Sequence, residues 1–161
     1  MFRKSILILL SFIFLISCDS KSVFSEYTSI SNDWNKNQPI NFSFPAPDTI
    51  NKYNIFIDIR NDAAYKYSNL FLIVKMDFPN GNIVTDTLEY QMAKPNGEWL
   101  GTGFSSLKEN KLWYKDHVIF PNSGTYNVQI GHAMRINGSV EGITSLEGIK
   151  DVGIKIENTS N

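Results

Sequence analysis

The sequence predicts an all-β fold, a single antiparallel β-sandwich of the Ig-like or jelly-roll-like type with about seven or eight strands. Apolar residues recur at every second position in several segments, which is typical of strands with one buried face. Turn-forming residues separate these segments at short intervals, and almost no stretch shows the helical period. With 161 residues and 42% hydrophobic composition, the chain is long enough to bury one core.

The alternation defines six strands. Pro45 closes the first of them, and the Pro79-Asn80-Gly81-Asn82 turn joins the third to the fourth as a hairpin. The fourth strand is rich in threonine, which favours a position at the edge of a sheet. The six strands cover residues 40–44, 53–59, 70–78, 83–90, 126–134 and 152–156.

Three further segments have weaker patterns. Residues 23–30 and 117–120 are strand candidates, and residues 105–114 are the one place where a helical turn or two is expected. No repeat of 20–50 residues and no low-complexity tract interrupts the chain. The organisation therefore indicates one domain.

The first 17 residues are predicted to be a lipoprotein signal peptide. Arg3 and Lys4 precede an apolar run that, as a helix, would rise only about 18 Å, short of the roughly 30 Å of hydrocarbon in a bilayer. The Leu15-Ile16-Ser17-Cys18 segment fits the bacterial lipobox, whose cysteine receives a diacylglycerol before cleavage. Cys18 is the only cysteine, which excludes an intrachain disulfide and makes it the expected site of lipid attachment. An ordinary signal peptide with a stray cysteine is the alternative.

Cleavage before Cys18 leaves 161 − 17 = 144 residues, with a short tether at residues 18–22 and the sandwich at residues 23–161. The net charge of −1 becomes −3 once Arg3 and Lys4 are lost. Such a domain lacks the basic excess that binds nucleic acid or anionic lipid, so the acyl chains must supply the anchor. The tether also lacks the long acidic run of many surface-exported lipoproteins, which favours an outer-membrane position facing the periplasm.

Motifs for catalysis or for a cofactor are not found. Gly103-Phe104-Ser105-Ser106-Leu107 breaks the GxSxG pattern at its last position, and Gly101-Thr102-Gly103 lacks the third glycine of a dinucleotide fingerprint. His117 and His132 are fifteen residues apart, with no carboxylate at a metal-binding offset. His132 lies on the apolar face of its strand, so we expect a core histidine and neither a metal site nor a cofactor.

Two acidic pairs are the remaining catalytic candidates. Asp58 with Asp62, or Asp86 with Glu89, would be a glycosidase-like pair if the fold brought them together. Scattered acids along strands are the commoner explanation. The sequence therefore predicts a protein that is not an enzyme.

Aromatic side chains offer a binding function instead. Trp99 lies between glycines, and Trp113 and Tyr114 are adjacent, so these three residues are candidates for stacking on a sugar or for contact with a protein partner. The alternative for Trp99 is a plug at one end of the sandwich. Arg60 and Arg135, each near the end of a strand, are expected to form structural ion pairs.

Several short motifs follow one another in a characteristic order along the chain. They are RN at 60–61, YKYSNL at 65–70, DT at 86–87, GEWLG at 97–101, GTY at 124–126, MR at 134–135 and GIKDVGIKIE at 148–157. Their order resembles the GldH family of gliding-motility lipoproteins from the Bacteroidetes. The resemblance covers nearly the whole chain, including the lipobox, although residues 138–146 form a longer link than is usual there.

The resemblance implies a membrane-anchored lipoprotein required for gliding, with other gliding and type IX secretion proteins of the envelope as partners. It assigns a role to Cys18 alone, as the lipid-bearing residue. In this phylum Asp-Thr-Ile and Asp-Thr-Leu also fit an O-glycan acceptor pattern, which makes Thr49 and Thr87 candidate sites. A surface glycan-binding lipoprotein of a polysaccharide-uptake system is the alternative function, with Trp99, Trp113 and Tyr114 as its platform.

Overall fold

The structure, a computed structural model, describes residues 21–136 and 138–159. Two four-stranded antiparallel sheets form a β-sandwich, and no α-helix occurs among the described residues. The front sheet has the order β1-β10-β4-β7 and the back sheet the order β3-β8-β5-β6. The strands of the front sheet are β1 (Ser22–Ser29), β10 (Ile149–Asn158), β4 (Tyr53–Asn61) and β7 (Lys108–Val118). Those of the back sheet are β3 (Ile40–Pro45), β8 (Thr125–His132), β5 (Asn69–Asp77) and β6 (Ile83–Gln91).

Two short strands, β2 (Trp34–Asn35) and β9 (Ser145–Leu146), pair with each other beside the sandwich. Without them, the eight long strands run first-eighth-third-sixth in the front sheet and second-seventh-fourth-fifth in the back sheet. This order is that of a jelly roll, in which two Greek keys are wound together. The predicted sandwich is confirmed, and its topology is the jelly-roll type.

The core lies between the two sheets because the predicted alternation turns one apolar face of each strand inward. Ile57 on β4 faces the core beside Ile154 of β10, and Leu72, Val74 and Ile130 face it from the back sheet. All five side chains are fully buried. β6 is an edge strand as predicted, since it pairs only with β5.

The two ends of the sandwich differ in their connections. At the end where β1 begins, which we call the tether end, the short connections 46–52, 78–82 and 119–124 join the strands. At the opposite end, the far end, the connections are longer and span residues 30–39, 62–68, 92–107 and 133–148. Stacked and edge-on rings close the tether end, where Phe44, Phe78 and Phe120 all pack against Tyr126.

The helical turn expected at residues 105–114 is not formed, because β7 occupies Lys108–Val118. β7 also includes the first two residues of the weak strand candidate at 117–120. Its outward residues Glu109 and Lys111 form ion pairs with Arg60 and Glu157 on neighbouring strands. The inward Asn110 donates to the side chain of Asn61 at 2.9 Å. These polar residues on both faces hide the two-residue period. The strand predicted at 126–134 ends at His132, and Met134 is buried in the following loop.

Within residues 21–136 and 138–159, no helix is long and apolar enough to cross a membrane. The signal peptide and Cys18 lie outside the described residues. β1 begins at Ser22, so the sandwich starts at the end of the predicted tether.

Candidate functional site

Trp113 and Tyr114 point to opposite faces of β7, because successive residues of a strand alternate. Trp113 lies on the outer face of the front sheet, where 57% of its surface is exposed and its ring packs 4.4 Å from that of Phe56. Tyr114 is buried, and its hydroxyl donates to Asp86 Oδ2 at 2.9 Å. Lys115 adds an ion pair to the same carboxylate at 2.8 Å, which lowers the pKa of Asp86. Tyr114 therefore links β7 to the edge strand β6.

Trp99 lies at the far end of the sandwich, in the long connection between β6 and β7. It is partly buried against the core, and its ring is 6.1 Å from that of Tyr65. This position matches the plug considered above. Among the described residues, no common platform of Trp99, Trp113 and Tyr114 is formed, and of these three only Trp113 presents its ring on a sheet face.

A buried carboxylate lies on the same outer face of the front sheet as Trp113. Asp58 projects outward from β4 but is only 1% exposed, because Tyr27 of β1 lies across the sheet and covers it. The Tyr27 hydroxyl donates to Asp58 Oδ2 at 2.8 Å. Burial raises the pKa of Asp58, and the Tyr27 hydrogen bond opposes that rise. We call Tyr27, Asp58, Arg60, Glu109 and Asp151 the front-face cluster.

Gly153 of β10 makes room for this arrangement. It stands between Tyr27 and Asp58 in the register of the sheet, and a Cβ added to it would lie 2.7 Å from Tyr27 Cδ1. Only a glycine therefore lets the tyrosine ring lie flat over β10 and reach β4.

Ion pairs complete the front-face cluster. Arg60 Nε contacts Glu109 Oε2 at 3.1 Å, and its guanidinium lies 4.5 Å from the centre of the Tyr27 ring. A second contact joins Arg60 to Asp151 at 3.9 Å. The expected structural role of Arg60 is confirmed. Arg135 behaves differently, since it is exposed and has no ion-pair partner among the described residues; it borders a shallow apolar groove with Phe71 and Ile73.

His132 is a core histidine, as expected. It is buried, its Nε2 lies 2.9 Å from the carbonyl oxygen of Trp34, and its ring meets the Trp34 ring edge-on at 5.4 Å. Burial lowers the pKa of His132, which favours the neutral ring. Its Nδ1 and the Trp34 Nε1 are both buried without a hydrogen-bond partner among the described residues.

The two candidate acidic pairs do not form sites. Asp58 belongs to the front-face cluster, whereas Asp62 follows the end of β4 and pairs with Lys150 at 3.1 Å. Asp86 is bound by Tyr114 and Lys115, as described above, and Glu89 accepts a hydrogen bond from Asn69 at 3.0 Å. No cluster of His, Cys, Asp and Glu suited to a metal ion occurs in the described parts of the chain.

The two candidate glycan acceptors, Thr49 and Thr87, are both exposed. Thr49 lies in the connection between β3 and β4, and Thr87 is on the outer face of β6, next to the shallow groove. In both motifs a tyrosine hydroxyl holds the preceding aspartate: Tyr53 binds Asp48 and Tyr114 binds Asp86.

The front-face cluster was not predicted as a unit. Its members come from four strands, and the pairing of β1 with β10 and of β10 with β4 is what brings them together. One signal was present in the sequence, since a glycine inside a predicted strand, here Gly153, indicates a close approach.

The described residues form a single jelly-roll sandwich, and a small β-domain of this class is what the predicted lipobox would anchor. The model of the family described as GldH lipoprotein matches residues 22–156, which include all ten strands in whole or in part. The chain belongs to the GldH lipoprotein family.

Two curated relatives extend the match over nearly the full length. The gliding motility lipoprotein GldH homolog of Christiangramia forsetii is 54% identical, with 93% of this chain and 94% of the relative covered. The gliding motility lipoprotein GldH of Flavobacterium johnsoniae is 46% identical, with 96% of each chain covered. The family inferred from the motif order is confirmed.

Solved structures are more distant. A carbohydrate-binding module specific for non-crystalline cellulose is 9% identical with a TM-score of 0.41, over 83% of this chain and 70% of that chain. The VP2 subviral particle of infectious bursal disease virus is 17% identical with a TM-score of 0.35, over 87% and 34%. Similarity at this level assigns neither a ligand nor a function to this chain.

Proposed function

We propose that this protein is a lipid-anchored, non-catalytic component of the gliding machinery, a scaffold or stabilising subunit that contacts other gliding and type IX secretion proteins of the envelope. The names of its relatives support a role in gliding, since both are named gliding motility lipoproteins. Each match covers more than nine-tenths of this chain.

The pairing of the acidic side chains carries the non-catalytic part of the proposal. A general acid or nucleophile needs a carboxyl group that faces a cleft and is within reach of a substrate. Here many of the carboxylates are instead bound by donors from other strands or loops. Such pairs are Asp58 with Tyr27, Asp86 with Tyr114 and Lys115, Glu109 with Arg60, Glu157 with Lys111, and Glu147 with Lys66. This pattern supports a domain that acts through contacts.

The anchor is proposed to be a diacylglycerol on Cys18, at the periplasmic side of the outer membrane. Cys18→Ala should release the protein from the membrane fraction and abolish gliding of complemented cells on glass. Ser20→Ala, which leaves the lipobox intact, is the matched control and should restore both. A Cys18→Ala protein that stayed in the membrane fraction would contradict the anchor.

The role in gliding has its own test. Cells that lack the gene should fail to glide on glass, and complementation with the intact gene should restore movement. Gliding at the normal speed without the gene would refute the proposed function, whatever the anchor is.

A surface glycan-binding function is the second candidate, and the exposed ring of Trp113 is the observation that favours it. It requires the protein to lie on the cell surface. A glycan pull-down that is lost with Trp113→Ala would support it, whereas resistance of the protein to protease on intact cells would exclude it. We also propose Thr87 as an O-glycan acceptor, since its hydroxyl is accessible. Thr49 is accessible too, but a glycan there and the membrane contact of Ile50 proposed below exclude each other.

A further inference from the structure

We infer that the tether end of the sandwich rests on the lipid surface that holds the anchor, with Ile50 and Ile119 in contact with the boundary between headgroups and acyl chains. This inference rests on the proposed lipid at Cys18. It goes beyond the anchor, because it orients the domain and names the protein residues that touch lipid.

The length of the chain before β1 limits how far the domain can stand from the membrane. β1 begins at Ser22, and the four peptide units between Cys18 and Ser22 span at most about 14 Å when fully extended. β4, which begins at this end, is two strands away from β1, about 10 Å across the sheet. The tether is therefore about as long as the end of the front sheet is wide, so the tether end must lie close to the bilayer.

Backbone hydrogen bonds tie the segments of the tether end together. The amide of Ala46 donates to the carbonyl oxygen of Gly124 at 2.9 Å, which continues the pairing of β3 with β8 into two of the connections. The amide of Asn158 donates to the carbonyl oxygen of Lys21 at 2.9 Å, which places the end of β10 beside the tether. This end is therefore a braced surface next to the anchor.

Two isoleucines project from this surface. Ile50 is 82% exposed and Ile119 is 45% exposed. The two connections that carry them meet at Tyr53, since Asp48 binds the Tyr53 hydroxyl and the ring of Phe120 is 5.8 Å from that of Tyr53. Large aliphatic side chains at the end nearest a bilayer lose unfavourable contact with water when they enter the interface.

The turn that carries Ile50 is suited to a lipid surface. Asp48 Oδ1 accepts the amides of Ile50 at 2.8 Å and of Asn51 at 2.7 Å. These backbone donors therefore stay paired when water is removed from the tip. Unpaired backbone donors would otherwise be the main cost of placing a loop against lipid. The hydrogen bonds from Tyr53 and the turn lower the pKa of Asp48. The carboxylate stays ionised, which holds Ile50 at the boundary between headgroups and acyl chains and keeps the turn from entering deeper.

Charge does not supply the contact. Lys21 and Lys52 at this end are balanced by Asp48 and Asp116. A neutral membrane should therefore be bound as well as an anionic one, which separates this contact from a polybasic one.

The single cysteine makes a direct test possible. In the mature lipoprotein the Cys18 sulfur is a thioether, so a cysteine placed elsewhere is the only free thiol. Ile50→Cys and Ile119→Cys proteins, each lipidated and labelled with a polarity-sensitive fluorophore, are reconstituted into phosphatidylcholine vesicles with a doxyl quencher near the glycerol. Val140→Cys is the matched control, because Val140 is 88% exposed at the far end.

The probes at 50 and 119 should shift to the blue and lose intensity to the quencher, while the probe at 140 should do neither. Vesicle-bound protein with no quenching at 50 and 119 would overturn the inference and leave the anchor in place. Quenching at 140 equal to that at 50 would overturn it as well. Protein that fails to co-sediment with vesicles and has no lipid by mass would reject the anchor and this contact together.

Two measurements in cells test whether a protein or a glycan, in place of lipid, covers Ile50. A photo-crosslinker at residue 50 should form adducts with lipid, and a protein adduct in its place would overturn the inference. A glycan on Thr49 would hold Ile50 away from the membrane, so intact-mass analysis that located one there would do the same.

Discussion

Replacing Tyr27 by phenylalanine should remove the hydrogen bond from its hydroxyl to Asp58, with the weaker contact of the same hydroxyl to Glu109 at 3.4 Å, and little else. The ring keeps its place over Gly153 and its contact with the Arg60 guanidinium, but the hydroxyl that donates to Asp58 at 2.8 Å is lost. Asp58 is 1% exposed, so water does not replace the missing donor. A hydrogen bond to a charged group is worth about 1.5–3 kcal/mol. We therefore expect the free energy of unfolding to fall by about 2 kcal/mol, and Tm by about 6–8 °C for a domain of this size.

The matched control is Tyr67→Phe. The Tyr67 ring meets the Tyr65 ring edge-on at 5.7 Å. The Tyr67 hydroxyl has no hydrogen-bond partner among the described residues. The same chemical change should therefore cost less than about 0.5 kcal/mol. Urea denaturation of residues 19–161, followed by tryptophan fluorescence, measures both variants. An equal cost for the two would refute the role assigned to the Tyr27 hydroxyl.

The dependence on pH gives a second check. Burial raises the pKa of Asp58, so the folded chain holds this proton more tightly than the unfolded chain does. Stability contributed by Asp58 is therefore present at low pH and falls as the pH rises through the pKa of the folded state. Without Tyr27 the pKa should rise further. The cost of Tyr27→Phe should be complete at neutral pH and shrink on acidification, whereas a cost that is constant with pH would contradict this coupling.

Three further predictions concern neighbouring features. Gly153→Ala should displace the Tyr27 ring from β10 and cost at least as much as Tyr27→Phe, measured by the same urea titration; a neutral effect would mean that the ring does not need the close approach. Trp113→Ala removes a half-exposed ring, so it should lower the free energy of unfolding by only about 1–2 kcal/mol and leave the chain folded. If Trp113 contacts a partner, the variant should slow gliding, and an unchanged gliding speed would show that it does not. Thr87→Ala should lower the intact mass of the mature protein by one glycan, and a loss of 30 Da, the difference between the two side chains, would show that Thr87 carries none.

Alternation along the strand predicted most of the elements, because each of those strands has one apolar face. β4 and β5 show this most clearly, since Ile55, Ile57 and Ile59 on one and Leu70, Leu72 and Val74 on the other all turn inward. The jelly-roll order was not predictable from such local patterns. It depends on pairing between segments far apart in the chain, such as β1 with β10, and no residue in either strand specifies that partner alone.

The candidate site was harder to predict, for two physical reasons. β7 has polar residues on both faces, so its sequence does not show the two-residue period of a strand. Without that period, the opposite orientations of Trp113 and Tyr114 cannot be predicted. Asp58 looked like a solvent-facing carboxylate, because the tyrosine that covers it comes from a strand that is two positions away in the sheet. Burial on the outer face of a sheet depends on such long-range cover, which periodicity does not record.

The neighbouring positions of β1 and β10 have a mechanical consequence. A lipid on Cys18 would pull on the start of β1 along the strand axis, and a partner bound at the far end would pull the rest of the domain in the opposite direction. Backbone hydrogen bonds between antiparallel strands run perpendicular to the strands. Such a load would therefore be shared in shear by the whole ladder from Ser22 to Ser29. A partner that gripped the end of β10, at the tether end, would instead open the ladder one bond at a time, so the far end is the stronger place to attach a moving component.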